Sequence, residues 1–192
     1  MSALAGEEQL VCVTGRFQPV HADHLRLFQA ALAGGDRLVV AVTNPDPGAR
    51  RAEPTSGHRH RADANPFTYF ERVDLLAAAL ADSDGLGPER AAQVRFVPFD
   101  LTRAEHWAHY VPLLAVQYVG VYGPWEQEKA RRLSAGGYRV VQVPGDARTR
   151  RTSTAIRSAV RAGQDWERLV PAATVAPLRA LLARGHPAGA SS

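Results

Sequence analysis

Two histidines stand three residues apart near the start of the chain, in the stretch GRFQPVHADH at 15–24. Residues at i and i+3 share one face of a helix, so His21 and His24 can face the same ligand. Backbone N–H groups at the start of a helix, the positive end of its dipole and the nearby Arg16 all favour an anion. The pattern predicts a phosphate-binding turn whose imidazoles stabilise charge during transfer. The alternative is an ordinary surface helix that carries two histidines.

A second polar turn, RRTSTAIR at 150–157, lies near the C-terminus. Thr152 or Ser153 can cap a helix that begins there. The free N–H groups of that helix would face an anion, and Arg157, one turn further on, is expected to act as a charged clamp on phosphates. The alternative is an ordinary Ser/Thr cap beside a solvated arginine.

Five short apolar runs alternate with helical patterns along the chain. These predicted strands cover residues 10–14, 37–44, 94–99, 117–123 and 138–144. Because the runs are apolar on both faces, they predict a parallel sheet covered by helices on both sides. We therefore expect one α/β domain over 1–192, with a doubly wound, Rossmann-like five-stranded sheet and C-terminal helices. Such folds bind ligands beyond the carboxyl ends of the strands, where both polar turns would lie.

Three further segments carry predictions. The helical pattern of 66–83 places Phe70, Val73, Leu76 and Leu80 on one face. The segment 45–65, rich in Pro, Gly, Arg and His, predicts a loop that is either a basic lid over phosphates or a solvated run of charge. The tail at 185–192 is expected to be frayed.

The composition limits the classes of function. A net charge of +4 and a pI of about 9.7 favour anionic partners such as nucleotides and phosphorylated metabolites. No nucleic-acid-binding motif is present, and no apolar run is long enough to span a membrane. The N-terminus lacks the pattern of a secretory signal, so a cytoplasmic protein is expected. The lone cysteine, Cys12, lies inside an apolar run and is expected in the core.

The first turn resembles the GRFQPxHxGH signature of the archaeal type of nicotinamide-mononucleotide (NMN) adenylyltransferases, in the HxGH nucleotidylyltransferase superfamily. Four more segments are similar to that family in the same order, and they cover nearly the whole chain. They are NPFTYFER (65–72), DLTRAEHWAHYV (100–111), RRTSTAIR (150–157) and WERLVPAATV (166–175). The resemblance implies that NMN attacks the α-phosphorus of ATP to give NAD and pyrophosphate. It also implies that Mg²⁺ arrives with ATP rather than on protein side chains, and that copies of the chain associate.

The resemblance also implies residue roles. The catalytic residues would be His21, His24 and Arg157. The nucleotide would bind at Gly15, Arg16, Phe17, Gln18, Tyr122, Gly123, Thr152, Ser153 and Thr154. The acceptor would bind at Asp100, Arg103, Ala104 and Trp107, with the tryptophan stacked on a base. Judged alone, Trp107 fits a core position equally, and Asp100 with Arg103 fits a surface ion pair.

The chain departs from the family pattern at three positions. Asp23 replaces the glycine of HxGH, while Ala104 and Gly123 each stand where the family has asparagine. The last two departures favour a different acceptor, because a lost polar contact shifts discrimination strongly. An adenylyl- or cytidylyltransferase acting on another phosphate- or phosphonate-bearing small molecule is therefore the first alternative. The second is a catalytically silent nucleotide-binding regulator, for which Asp23 is the argument.

Overall fold

The computed structural model describes residues 8–52, 57, 59–82, 85–146 and 148–184. Its centre is one sheet of five parallel strands in the order β3-β2-β1-β4-β5. The strands are β1 Leu10–Gly15, β2 Arg37–Thr43, β3 Arg95–Phe99, β4 Val116–Val121 and β5 Val140–Pro144. The predicted fold class is confirmed, because the sheet is all parallel and helices cover both faces.

Within the described residues, seven α-helices connect and flank the strands. They are α1 Ala22–Leu32, α2 Tyr69–Ala81, α3 Pro88–Ala91, α4 Trp107–Tyr110, α5 Pro124–Ala135, α6 Ser153–Arg161 and α7 Ala172–Ala183. None of the helices in these described ranges is both long and apolar enough to cross a membrane. The tail at 185–192, expected to be frayed, lies outside the described residues.

The strand order reverses beside β1. The chain runs from β1 to β2 and β3 on one side, then returns to place β4 on the other side of β1. In β1, Gly15 lies opposite Val42 of β2, and Val13 lies opposite Tyr118 of β4. The carboxyl ends of β1 and β4 therefore flank the switch point, where doubly wound folds bind ligands.

Alternating residues of β1 feed two separate cores. Val11 and Val13 join the larger core, which includes Phe28 and Leu76, whereas Cys12 joins the smaller core on the opposite face of the sheet. Cys12 is fully buried, as predicted, and burial raises the pKa of its thiol to about 12.

Helix α2 begins later than Pro66 and faces the core differently from the prediction. Thr68 caps it, accepting from the N–H of Glu71 at 3.2 Å while the Glu71 carboxylate accepts from the Thr68 N–H at 2.8 Å. Leu76 and Leu80 are buried, but Phe70 is 72 % exposed, so the predicted common face with Phe70 is wrong. The helix is turned so that Leu75, rather than Phe70, shares the face of Leu76. Phe70 consequently lies toward solvent.

Candidate active site

A cleft opens over the carboxyl ends of β1 and β4 and contains both polar turns. The structure brings ten of the predicted site residues together in its lining. They are Gly15, Arg16, Phe17, His21, His24, Tyr122, Gly123, Thr152, Ser153 and Thr154. Residues separated by more than a hundred positions meet here because β1, β4 and the N-terminus of α6 end at the same edge of the sheet.

The two histidines form a stacked pair at the start of α1. Their ring centroids are 3.7 Å apart, and His24 Nδ1 accepts from the backbone N–H of His21 at 3.2 Å. Burial lowers the pKa of His21 to about 4, and burial together with the neighbouring His21 lowers the pKa of His24 well below its ordinary value. Both imidazoles are therefore neutral at pH 7. Since Nδ1 of His24 is an acceptor, its proton lies on Nε2, which leaves an N–H donor for a ligand.

Asp23, which replaces the signature glycine, connects the two turns. Its side chain is buried, with Oδ1 2.6 Å from a nitrogen of Arg26 and Oδ2 accepting from the backbone N–H of Arg151 at 2.8 Å. The carboxylate thus joins the first turn of α1 to the segment that leads into α6. It lies in the lining of the cleft, held by two donors.

The side chain of Gln18 holds the first turn in place through hydrogen bonds to the backbone of Phe67. Its side chain is buried, accepting from the N–H of Phe67 at 2.9 Å and donating to the C=O of Phe67 at 3.0 Å. This pairing ties the first turn to the NPFT segment. Gln18 therefore does not line the cleft, where the prediction placed it. Gly15 is required locally, because a Cβ there would lie 2.7 Å from the Phe17 ring.

The second turn caps its helix as predicted, but Arg157 does not point toward the cleft. Thr152 Oγ1 accepts from the N–H of Ala155 at 3.1 Å. Arg157 is 3 % exposed and donates to the C=O of Gln18 at 2.7 Å, beneath the first turn. Burial lowers the pKa of Arg157 to about 10. Arg157 therefore lies outside the cleft lining, and the arginines of this second turn that line the cleft are Arg150 and Arg151.

The expected acceptor residues do not gather at the cleft. Trp107 is 3 % exposed, packs on Phe99 at 5.6 Å between ring centroids and donates from Nε1 to the C=O of Asp100 at 2.8 Å. It is a core residue with no open face for a base, so its predicted stacking role is not supported. Asp100 accepts from Thr102 within a turn.

Arg103 and Ala104, the other two predicted acceptor residues, also lie outside the cleft. Arg103 pairs with Glu105 at 3.3 Å, so the alternative ion pair with Asp100 is also not found. Ala104 lines a shallow groove beside the edge of Trp107 and Arg132, away from the cleft. None of the four predicted acceptor residues lines the cleft.

A deeper pocket adjoins the cleft between the ends of β1 and β2. It is smaller than the cleft and less open to solvent. Four cations line it, and among the described residues no carboxylate does. They are Arg16, Arg51, Arg59 and Lys129. Sequence reasoning missed the last of these, although a lysine shortly after the fourth strand was a visible signal.

The cations of this pocket lie close enough to repel one another. Arg16 donates to the C=O groups of Arg59 and Ala64, both at 3.2 Å, and so fixes the loop that carries Arg59. Burial, then the charge of Arg59, lowers the pKa of Arg16 to about 9. The segment 45–65 therefore does bring positive charge to the site, through Arg51 and Arg59, while Arg61 pairs with Asp63 at the surface. A bound anion would relieve this repulsion.

Glu126 is the carboxylate on which two of the cleft arginines converge. It is buried on α5, 2.8 Å from a nitrogen of Arg150 and 3.5 Å from a nitrogen of Arg59. Arg150 also lies over the Tyr122 ring at 4.5 Å. Within the described ranges, no group of three or more His, Cys, Asp or Glu side chains forms a metal site.

Comparisons with known proteins agree with this geometry. Residues 12–159 match the family model described as Cytidylyltransferase-like. The chain is 38 % identical to "Phosphonoformate cytidylyltransferase" of Streptomyces viridochromogenes over 84 % of its own length and 85 % of that protein. It is 29 % identical to "Nicotinamide-nucleotide adenylyltransferase" of Pyrococcus furiosus over 82 % and 76 % of the two chains.

A solved structure shares the fold. It is a bifunctional NMN adenylyltransferase/ADP ribose pyrophosphatase from Francisella tularensis, with a TM-score of 0.62 at 12 % identity. The match covers 91 % of this chain and 50 % of that one, so the chain spans half the length of the bifunctional protein. The resemblance to NMN adenylyltransferases is confirmed by the archaeal relatives. Because the family model covers residues 12–159 and both named relatives are nucleotidyltransferases, the chain belongs to the Cytidylyltransferase-like family and is a nucleotidyltransferase.

Proposed function

We propose that the chain transfers a nucleotidyl group from a nucleoside triphosphate to a small acid that carries a phosphonate or phosphate, with CTP and a compact phosphonate as the first candidate pair. The observation that carries this proposal is the deep pocket lined by four cations and no described carboxylate, next to the phosphate cleft. The name of the Streptomyces relative, a phosphonoformate cytidylyltransferase, supports the same pair.

In this proposal each of the two cavities binds one of the two substrates. The triphosphate lies in the cleft against the histidine pair, Arg150 and the backbone near Thr152, with Mg²⁺ arriving on its phosphates. The acceptor lies in the deep pocket. Gly15 lines both cavities, so the α-phosphorus and the attacking oxygen meet above it.

The reaction needs no covalent intermediate with the protein. An anionic oxygen of the acceptor forms a bond to the α-phosphorus while the bond from that phosphorus to the bridging oxygen breaks, and pyrophosphate leaves. The attacking oxygen is already deprotonated, so the neutral histidines act as N–H donors to phosphate oxygens rather than as bases. Catalysis then comes from positioning and from charge stabilisation.

Adenylyl transfer from ATP to NMN is the second candidate. The first-turn signature and the archaeal relatives favour it. Two features of the site count against it. Trp107 is closed within the core, and Ala104 has no side-chain hydrogen bond to offer a carboxamide.

The test is pyrophosphate release by the purified chain with Mg²⁺, using CTP or ATP in combination with phosphonoformate or NMN. Release that requires CTP and phosphonoformate supports the first candidate, and release with ATP and NMN, with NAD formed, supports the second. Nucleotide binding without release from any acceptor would refute both and favour the silent regulator.

A further inference from the structure

Lys129 is the single lysine of the chain, since 22 of its 23 basic residues are arginine. Arginine and lysine serve equally at many solvated positions, and this chain has arginine at all of them. The two differ where a compact point charge is needed in place of a planar fork. A lone lysine in a buried site therefore indicates a position at which an ammonium group is specifically required.

The ammonium of Lys129 lies at the boundary between the two cavities. The residue is 8 % exposed and lines both the cleft and the deep pocket. Its Nζ donates to the C=O of Thr14 at 2.7 Å, which directs it to the end of β1. Across the described ranges no second acceptor of this ammonium is recorded, so two of its three N–H donors are available to a ligand.

The surroundings of Lys129 lack a matching anion. Arg59 from the loop and Arg16 from the first turn are positive, and His24 of α1 is neutral. Glu126 on the same helix is held by Arg150 at 2.8 Å. Burial, then the charge of Arg59, lowers the pKa of Lys129 to about 8, while Glu126 and the Cys12 thiol act in the opposite direction. A buried ammonium with so little compensation is costly unless a ligand pairs with it.

We propose that Lys129 is a catalytic residue of the transfer, whose ammonium binds the attacking anionic group of the acceptor and an oxygen of the α-phosphate together. This proposal rests on the proposed function. Both reacting groups are negative, and a cation between them offsets their repulsion as the new O–P bond forms. The charge of the broken bond leaves on pyrophosphate, and Lys129 keeps its proton throughout.

The first test compares Lys129→Met and Lys129→Arg with the matched control Arg131→Met, an exposed position on the same helix. We expect Lys129→Met to lower kcat about 100-fold, with the KM for the triphosphate changed less than about threefold. Lys129→Arg should restore part of the rate. In the wild type, kcat/KM should fall above pH 8, and this alkaline limb should disappear in Lys129→Arg because arginine stays protonated. An unchanged kcat in folded Lys129→Met overturns the proposal.

The second test measures the NMR signal of Lys129 in the absence of catalytic turnover. Protein labelled with ¹³C at lysine Cε gives one NMR signal, because there is one lysine. Phosphonoformate, CTP and pyrophosphate are each added, and the signal should shift while its apparent pKa rises by about one unit or more, as expected for an ammonium that gains an anionic partner. A signal that none of the three anions moves overturns the proposal. If the wild type releases no pyrophosphate with any acceptor but the signal moves, the proposed function fails and the anion contact of Lys129 is supported.

Discussion

Replacement of Asp23 by glycine, the residue that the family signature has there, should weaken the site rather than improve it. The carboxylate accepts from the backbone N–H of Arg151 at 2.8 Å, a charge-assisted bond worth about 1.5–3 kcal/mol. Its exposed partner Arg26 adds about 0.5 kcal/mol, and glycine is less favourable than aspartate in a helix by about 0.3 kcal/mol. The free energy of unfolding should therefore fall by roughly 3 kcal/mol.

The assay for Asp23→Gly combines thermal unfolding with pyrophosphate release. A loss of that size should lower the Tm by roughly 6–12 °C for a chain of this length. Release of the segment at 150–152 should raise the KM for the triphosphate about tenfold, because Arg150 and Arg151 are then less well placed. The control is Asp23→Asn, which keeps an acceptor for the Arg151 N–H and should lie between the wild type and glycine. Equal or higher activity in Asp23→Gly would refute this reasoning and show that the aspartate suppresses catalysis.

Three further changes test the rest of the site. Gln18→Leu leaves the buried N–H and C=O of Phe67 without partners and should lower the free energy of unfolding by roughly 2–5 kcal/mol in urea denaturation; an unchanged midpoint would contradict the role of Gln18 in holding the first turn. The pKa of His21 is about 4 in the folded chain and 6.5 in the unfolded chain, so its contribution to the free energy of unfolding is complete at pH 7 and falls by about 3 kcal/mol as the pH drops from about 6.5 to 4. The free energy of unfolding of His21→Gln should fall less over the same range, and parallel pH curves for the two proteins would contradict this assignment. Gly123→Asn should leave the Tm within about 2 °C in a thermal scan, because a Cβ there meets Glu126 Oε2 at 3.7 Å, an ordinary contact; a loss above about 5 °C would contradict it.

The sheet could be predicted from the sequence because each strand carries its own local signal. Runs such as LVCVT and RLVVAVT are apolar on both faces, and only a strand buried on both sides accommodates them. The face of α2 could not be fixed in the same way. Phe70 and Leu75 are both apolar, and the choice between them depends on how the helix packs against α7, which the helix pattern alone does not contain.

The site was only partly predictable, for a related reason. Residue type and spacing placed both polar turns at the cleft, since position along the chain follows from the strand order. The direction in which a long side chain points does not follow from the strand order. Arg157 has the type and spacing of a phosphate clamp, yet it donates to the C=O of Gln18, 139 residues away in the sequence, and does not reach the cleft. Lys129 was missed because its partner Thr14 lies 115 residues away.

The two outcomes for Arg157 and Lys129 have one physical cause. A buried cation needs an acceptor, and Arg157 finds two within the protein, the C=O of Gln18 and the hydroxyl of Thr154. Lys129 finds one C=O for three donors and has cations as neighbours. The first arrangement holds the guanidinium of Arg157 between two acceptors of the protein and therefore stabilises the turns. The second is incomplete without an anion, which is why the acceptor's charge, more than the shape of a base, should decide what this site accepts.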